Sequence, residues 1–258
     1  FIPQINSFSD FGITNSAVQD RNNVYWMSKQ SLLRFNPSTN KISYLRASDR
    51  NVFPVFIDHD QQIWFGTEAG LSMLDPVSNH ITDYRYPVQP QREPYEFLQC
   101  MIEDAEGVFW LGTTKGLLRL NKEDNSWKQF KNNPADTSTL SFDLIFTLCN
   151  DPVSPEKYLW IGTNGGGLNR LDKHTGKVMR YSMKNGLPND VVYGILNDAD
   201  GNLWMSTNNG LARFSLQTKS FKVYEMKDGL QSNEFNRYAY CAIKNMSGSD
   251  QRVTLFFG

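Results

Sequence analysis

The chain has 258 residues, with 26 basic against 27 acidic side chains and a net charge of −1. No Lys/Arg run appears, which excludes the electrostatic footprint of a nucleic-acid binder. No stretch of about 18 apolar residues occurs and no charged-then-apolar leader opens the chain, so neither a membrane span nor a signal peptide is expected inside it. The first residue is Phe1 and not Met, and the expectation is a processed or excised piece of something longer.

In chain order, one sequence phrase recurs. It is worn at residues 24–35 (VYWMSKQSLLRF) and plain at 63–74 (IWFGTEAGLSML), 109–120 (FWLGTTKGLLRL), 159–171 (LWIGTNGGGLNRL) and 203–214 (LWMSTNNGLARF). Its tryptophans, Trp26, Trp64, Trp110, Trp160 and Trp204, are spaced by 38, 46, 50 and 44 residues. A period near 44 residues suits one four-stranded blade of a propeller. The chain holds about 5.8 such periods, and no Pro/Gly/Ser-rich linker marks a second domain. The expectation is therefore an all-β propeller over residues 1–258, with about five complete four-stranded antiparallel blades, partial blades at both ends and seven blades when complete.

The best-kept unit is 189–224. An apolar run at 191–196 predicts strand a, and Asp198-Ala-Asp-Gly201 a tight hairpin. Strand b follows at 203–207, a turn at 208–210, strand c at 211–215 and strand d at 221–224. An aromatic closes each strand d: Tyr44, Tyr84, Phe130, Tyr181 and Tyr224. These alternating aromatic and β-branched strands are expected to pack blade against blade. The glycines of the b–c turns (Gly70, Gly116, Gly166, Gly210) are read as positive-φ residues, and Gly66, Gly112 and Gly162 as points of close backbone approach. A sixth unit begins with strands near 238–244 and 253–257, and residues 1–8 look like the outer strand of a blade whose start is missing.

The pattern aromatic-apolar-Gly-Thr-x-x-Gly-Leu, with Asp-x-Asp-Gly-Asn-Leu-Trp upstream, resembles the two-component-regulator propeller repeat. So do the segments 132–144 (NNPADTSTLSFDL), 185–191 (NGLPNDV) and 228–236 (DGLQSNEFN). That resemblance implies the periplasmic sensor of a hybrid two-component system of the Bacteroides type. Such a sensor binds oligosaccharides and signals across the inner membrane to a histidine kinase that controls glycan-utilisation genes. The partners it implies are an oligosaccharide, the neighbouring propeller and β-sandwich of the same parent chain, and a second copy of the chain. Nucleic acid is not among them. The first repeat departs from the pattern, with Ser28-Lys29 in place of Gly-Thr, and the fourth carries an extra glycine at Gly165-Gly166-Gly167.

The a–b and c–d turns of an antiparallel blade emerge at one end, the b–c turns and d–a connections at the other. The d–a connections are the long ones, and long loops on a rigid scaffold concentrate binding residues. That face collects Arg92, Tyr95, Asn164, Asn208, Asn209, Asn233, Asn236 and Arg237. A sugar site wants an aromatic plane against C–H-rich ring faces, with amides and guanidinium groups for hydroxyls or carboxylates. The competing reading gives the turn asparagines to positive φ, and Arg92, Tyr95 and Arg237 to solvated loops or packing.

No catalytic set, cofactor or metal site is nominated. His59, His80 and His174 fall on the opposite, a–b and c–d turns and converge on nothing. Asp198–Asn202 begins like a calcium loop, but Leu203 stands where the loop's glycine belongs and Asn209 where its closing Glu belongs. Cys100, Cys149 and Cys241 precede strand b in their repeats and read as small buried hydrophobes, with no disulfide framework. The alternatives that remain are a propeller lyase or glycosidase, a sensor coupled to a diguanylate cyclase, and a protein-interaction scaffold.

Overall fold

The structure is a computed structural model that describes residues 16–28, 31–45, 52–67, 70–84, 98–244 and 253–258. They form five four-stranded sheets and one two-stranded sheet, each an up-and-down meander of consecutive strands. The first sheet is β1 (Ser16–Gln19), β2 (Tyr25–Ser28), β3 (Leu32–Asn36) and β4 (Lys41–Leu45). The second is β5 (Val55–Ile57), β6 (Ile63–Thr67), β7 (Gly70–Leu74) and β8 (Ile81–Tyr84). The third is β9 (Leu98–Glu103), β10 (Phe109–Thr113), β11 (Gly116–Asn121) and β12 (Ser126–Phe130), and the fourth β13 (Ile145–Asn150), β14 (Tyr158–Thr163), β15 (Leu168–Asp172) and β16 (Val178–Tyr181). The fifth is β17 (Val192–Asn197), β18 (Leu203–Thr207), β19 (Gly210–Ser215) and β20 (Ser220–Tyr224), and β21 (Tyr240–Lys244) pairs with β22 (Val253–Phe257). The a–d strands expected from the repeat are these strands in order. Those expected before Ser16 lie outside the described residues.

The chain divides into two compact units, residues 1–98 and 99–258. In the first, Trp26 and Leu32 of one sheet share a core with Val55, Ile63, Phe65 and Leu74 of the next. In the second, Trp110 packs with Ile145, Leu159, Ile161 and Leu171, and Trp160 with Val192, Leu203, Met205 and Phe214. Within each unit, the tryptophan of one sheet, Trp26, Trp110 or Trp160, is thus buried against the inner strands of the next. Burial of an aromatic removes about 150–250 Å² from water, so this row of indoles dominates the packing.

One polar contact repeats with the fold. In every repeat the indole Nε1 of the strand-b tryptophan donates to Oδ2 of the aspartate that opens the a–b hairpin. The pairs are Trp26–Asp20 (2.9 Å), Trp64–Asp58 (2.8 Å), Trp110–Asp104 (2.8 Å), Trp160–Asp151 (2.9 Å) and Trp204–Asp198 (2.8 Å). The other oxygen closes the turn, as when Asp198 Oδ1 accepts from the N–H groups of Asp200 and Asn202. Asp198 is therefore engaged in a hairpin and an indole bond, as a tight turn requires.

The strand-d aromatics pack on the tryptophan of their own blade, with centroids 4.9 Å apart for Trp64–Tyr84, 5.8 Å for Trp110–Phe130, 5.8 Å for Trp160–Tyr181 and 5.4 Å for Trp204–Tyr224. Tyr181 also meets Phe214 of the next blade at 5.0 Å, which is the blade-to-blade contact expected. Tyr44 instead stands exposed.

Three expectations are corrected. In the fourth b–c turn, Gly165 and Gly167 take positive φ and Gly166 does not. The extra residue moves the turn-closing role along by one, and Thr163 Oγ1 donates to the carbonyl of Gly167. Second, Asn164, Asn208 and Asn209 are not in the left-handed region. Glycine fills that slot, so backbone conformation does not account for these asparagines. Third, Cys241 is exposed, because β21 pairs only with β22 and their sheet leaves that face open among the described residues. Cys100 and Cys149 are half-buried, and desolvation, with Asp151 nearby, pushes the Cys149 thiol up to about 12.

Candidate functional site

The strand-a segments of the third, fourth and fifth sheets are LQCMIED (98–104), IFTLCND (145–151) and VYGILND (192–198). Their outer positions agree in type, while the second position holds Gln99, Phe146 and Tyr193 in turn. In the fourth and fifth sheets this residue is a β-bulge: the register shifts between Ile145 and Thr147, and between Val192 and Gly194. A bulge leaves its residue out of the ladder and re-aims the side chain. Here it does so at the end of the blade where the b–c turns emerge, since Ile145 pairs with Thr163 and Val192 with Thr207.

The bulged side chains gather. Phe146 and Tyr193 lie stacked at 5.7 Å and 18°. The Tyr193 hydroxyl donates to Oδ1 of Asn208 in the b–c turn (3.2 Å). From the last d–a connection, the Arg237 guanidinium lies 4.8 Å from the Phe146 centroid and 4.4 Å from that of Tyr238. The Tyr238 hydroxyl donates to Gln99 Oε1 (2.9 Å), and burial pushes its pKa up to about 12. Tyr238 also holds φ at 67°. A bulky residue there costs about 1–3 kcal/mol, and such outliers cluster at functional sites. Beneath, Tyr240 donates from its hydroxyl to Thr147 Oγ1 (3.0 Å).

Of the residues nominated from sequence, Asn208 and Arg237 enter this cluster. Asn236 sits beside it, with its N–H on the carbonyl of Gly258 (2.8 Å) and its side chain exposed. Asn209 is exposed in the same turn as Asn208, with its N–H on Thr207 Oγ1. Asn164 lies one blade back, its N–H bonded to the carbonyl of Leu144. Arg92 and Tyr95 lie outside the described residues. Asn233 is structural: its Oδ1 accepts from Met226 N and its carbonyl from Gly210 N, tying the d–a connection to the b–c turn. Asp190 makes the same clamp on Met183 and on Gly165 and Gly167.

Phe146, Tyr193, Tyr238 and Gln99 were not nominated from sequence. The available signal was the strand-a position that varies in size and polarity while its flanks hold constant. As a whole the cluster offers an aromatic plane edged by an amide and a guanidinium. That arrangement can receive a ring with one apolar and one hydroxylated face, and its groups show no nucleophile paired with a base.

Comparison with known proteins bears on the repeat. Residues 186–209 match the family model described as two component regulator propeller. Histidine kinase P4 of Formosa agariphila is 29% identical over 77% of this chain and 18% of its own length. Among solved structures, the extracellular domain assigned to a hybrid two component system of B. thetaiotaomicron superposes with a TM-score of 0.71 at 18% identity, covering 92% of this chain and 31% of that one. Virginiamycin B lyase from Staphylococcus aureus gives a TM-score of 0.66 at 15% identity, over 87% of this chain and 72% of the lyase. The chain thus spans less than a third of the length of the kinase and of the sensor domain. No helix among the described residues is long and apolar enough to cross a membrane. Residues 186–209, within the fifth copy of the repeat, are thus similar to the two component regulator propeller, and the fold is the β-propeller also seen in extracellular domains of two-component systems.

Proposed function

We propose that this chain is part of the periplasmic sensing region of a membrane-spanning hybrid two-component system, and that its propeller binds an oligosaccharide. In this reading residues 1–258 are one propeller module, seven-bladed when complete, beside a second propeller and a β-sandwich of the parent. Ligand binding favours one of two arrangements of those parts, which the ligand must bind with different affinity. The histidine kinase of the parent then controls genes for glycan use. The observation that carries the proposal is the rim cluster of Tyr193, Asn208, Arg237 and Tyr238. The match to sensor relatives supports it, and no catalysis is needed.

Calorimetric titration of the 258-residue chain against a glycan library tests the reading. At least one oligosaccharide should bind, and Tyr193→Ala and Arg237→Ala should each weaken it about tenfold or more. Silence across the library, with a protein partner bound instead, would transfer the chain to the scaffold class. New reducing ends or unsaturated products would transfer it to the lyases or glycosidases, whose fold likeness to the virginiamycin B lyase leaves that route open to assay.

A further inference from the structure

At the opposite end of the blades, where the a–b and c–d turns emerge, two cavities occupy equivalent places between neighbouring sheets of the second unit. They are lined differently. Between the third and fourth sheets the space is about 130 Å³. Lys173, from the c–d turn, fills it: its Nζ lies 3.0 Å from Asp104 Oδ2 and donates to the carbonyl of Pro155 (2.7 Å), with Glu106 and Glu156 also on the walls. Between the fourth and fifth sheets the space is about 560 Å³. Leu216 stands where Lys173 stands one blade earlier, so the Lys173–Asp104 ion pair has no counterpart from that position.

Arg170, Arg213 and Lys219 line this larger cavity, with the carboxylates of Asp151 and Asp200. Asp151 is already engaged by Trp160 and by Arg170 Nη2 at 3.3 Å. Arg170 is further held over the Tyr158 ring at 3.6 Å. Arg213 occupies the matching place on strand c, opposite Trp204 as Arg170 is opposite Trp160. Its counter-ion is taken. The Asn202 amide donates to both oxygens of Asp198, at 3.1 and 2.9 Å, and Asn202 replaces the stacking Tyr158. Among the described residues Arg213 makes no hydrogen bond or ion pair, and its Nε is buried without a partner, as is that of Arg170.

A second observation concerns the lip. The left-handed residue of the c–d turn is Asn40, Asn79, Asn125 or Gly176 in the other blades, and Lys219 in the fifth, at φ 55°. Asparagine and glycine take that conformation readily; for lysine it costs about 1–2 kcal/mol. The strain places a third cation beside two others. Partial desolvation and the nearby Arg170 hold the Lys219 ammonium below its ordinary pKa, against the opposing attraction of Asp151. Arg170 has Asp151, but Arg213 and Lys219 have no hydrogen-bonded carboxylate among the described residues, and packing them beside a third cation is unfavourable unless an anion joins them.

We propose that the cavity between the fourth and fifth sheets binds a compact oxyanion, a sulfate or carboxylate group, held by Arg213 and Lys219 with Arg170 behind. The site stands on the cavity and its cations, at the other end of the blades from the rim cluster, and its failure would leave the sugar reading of the rim untouched. Calorimetric titration of the 258-residue chain with sodium sulfate and with sodium glucuronate, at ionic strength matched by sodium chloride, tests it. Saturable binding of at least one is expected. Arg213→Gln should weaken it about tenfold or more, the loss of a charge-assisted pair. Lys219→Asn, which relieves the turn and cannot disturb the core, should weaken it several-fold. Lys128→Gln, the same loss of charge on the exposed face of β12, should leave it unchanged. Tighter binding of glucuronate would assign the group to a sugar acid, and sulfate alone to a free or ester-borne oxyanion. Absence of saturable binding, or equal affinity in wild type, Arg213→Gln and Lys219→Asn, would overturn the proposal.

Discussion

At the a–b hairpins the blades are copies of one another, and at the opposite rim they are not. Every hairpin aspartate spends one oxygen on its turn and the other on the indole six to nine residues later, so both oxygens are engaged by the fold before any ligand arrives. At the rim, one position of strand a holds Gln99, Phe146 and Tyr193 in successive blades, and its side chains meet residues from a d–a connection. Identical solutions at equivalent places report the demands of the fold. Divergence at an equivalent place, held up by the same scaffold, is where a ligand can have left its mark. The two inter-blade cavities repeat the lesson within one end of the blades, since the Lys173–Asp104 pair closes one and its replacement opens the other.

The largest effect should come from breaking the copied part. Trp160→Ala empties a fully buried site between two sheets and leaves Asp151 Oδ2 with Arg170 alone. The expected cost is about 4 kcal/mol, read as a lower urea midpoint with little change in m-value. Next is Asp104→Asn, which removes the partner of a buried lysine and should cost about 3 kcal/mol near neutral pH. Burial alone would raise the Asp104 pKa, but the Trp110 indole and the Lys173 ammonium outweigh it and hold the carboxyl below its ordinary 3.8. A depressed folded pKa stabilises above the unfolded value and loses that contribution as pH falls through the folded one. Wild type should therefore lose stability below about pH 4, and Asp104→Asn should show a shallower acid slope; parallel slopes in the two proteins would refute the assignment.

Gly162→Ala tests the close approach of strands a and b. A methyl there would lie 2.5 Å from Thr147 Cγ2 and 2.8 Å from Val192 Cγ1, so neighbouring inner strands must move. About 2 kcal/mol of destabilisation is expected, measured by thermal or urea unfolding. A neutral result would mean the blades tolerate spreading and that the rim above them is soft.

How far the sequence disclosed each part follows from what kind of interaction carries it. Trp, Gly-Thr and the strand-d aromatic recur at fixed spacings, so the blades and their cores were legible from periodicity alone. The indole bond of Asp151 was hidden because its hairpin is three residues longer than the others, and only the folded turn shows the aspartate back in place. The bulges were hidden for a different reason: register depends on which strands pair, and one extra residue in strand a changes the aim of Phe146 and Tyr193 without altering composition. Asn208 and Arg237 were reached by counting loops. Tyr193 required the ladder. Arg213 could not be read as unpaired, because that depends on Asn202 having taken Asp198.

The smallest effect on stability should be the largest on recognition. Tyr193→Ala removes a half-buried ring, its stack on Phe146 and its bond to Asn208, at about 1 kcal/mol. Tyr193→Phe keeps the plane and gives up only the hydroxyl. If the rim receives a sugar face, the Ala variant should lose most of its affinity for a bound oligosaccharide while the Phe variant keeps most of it, and both should unfold within about 1 kcal/mol of wild type. If instead the ring only buttresses the inner strands, affinity would follow stability across the two variants. Equal, small losses in both would then return Tyr193 to the copied part of the blade, and the distinction between its two ends would have to rest on Arg237 and Asn208.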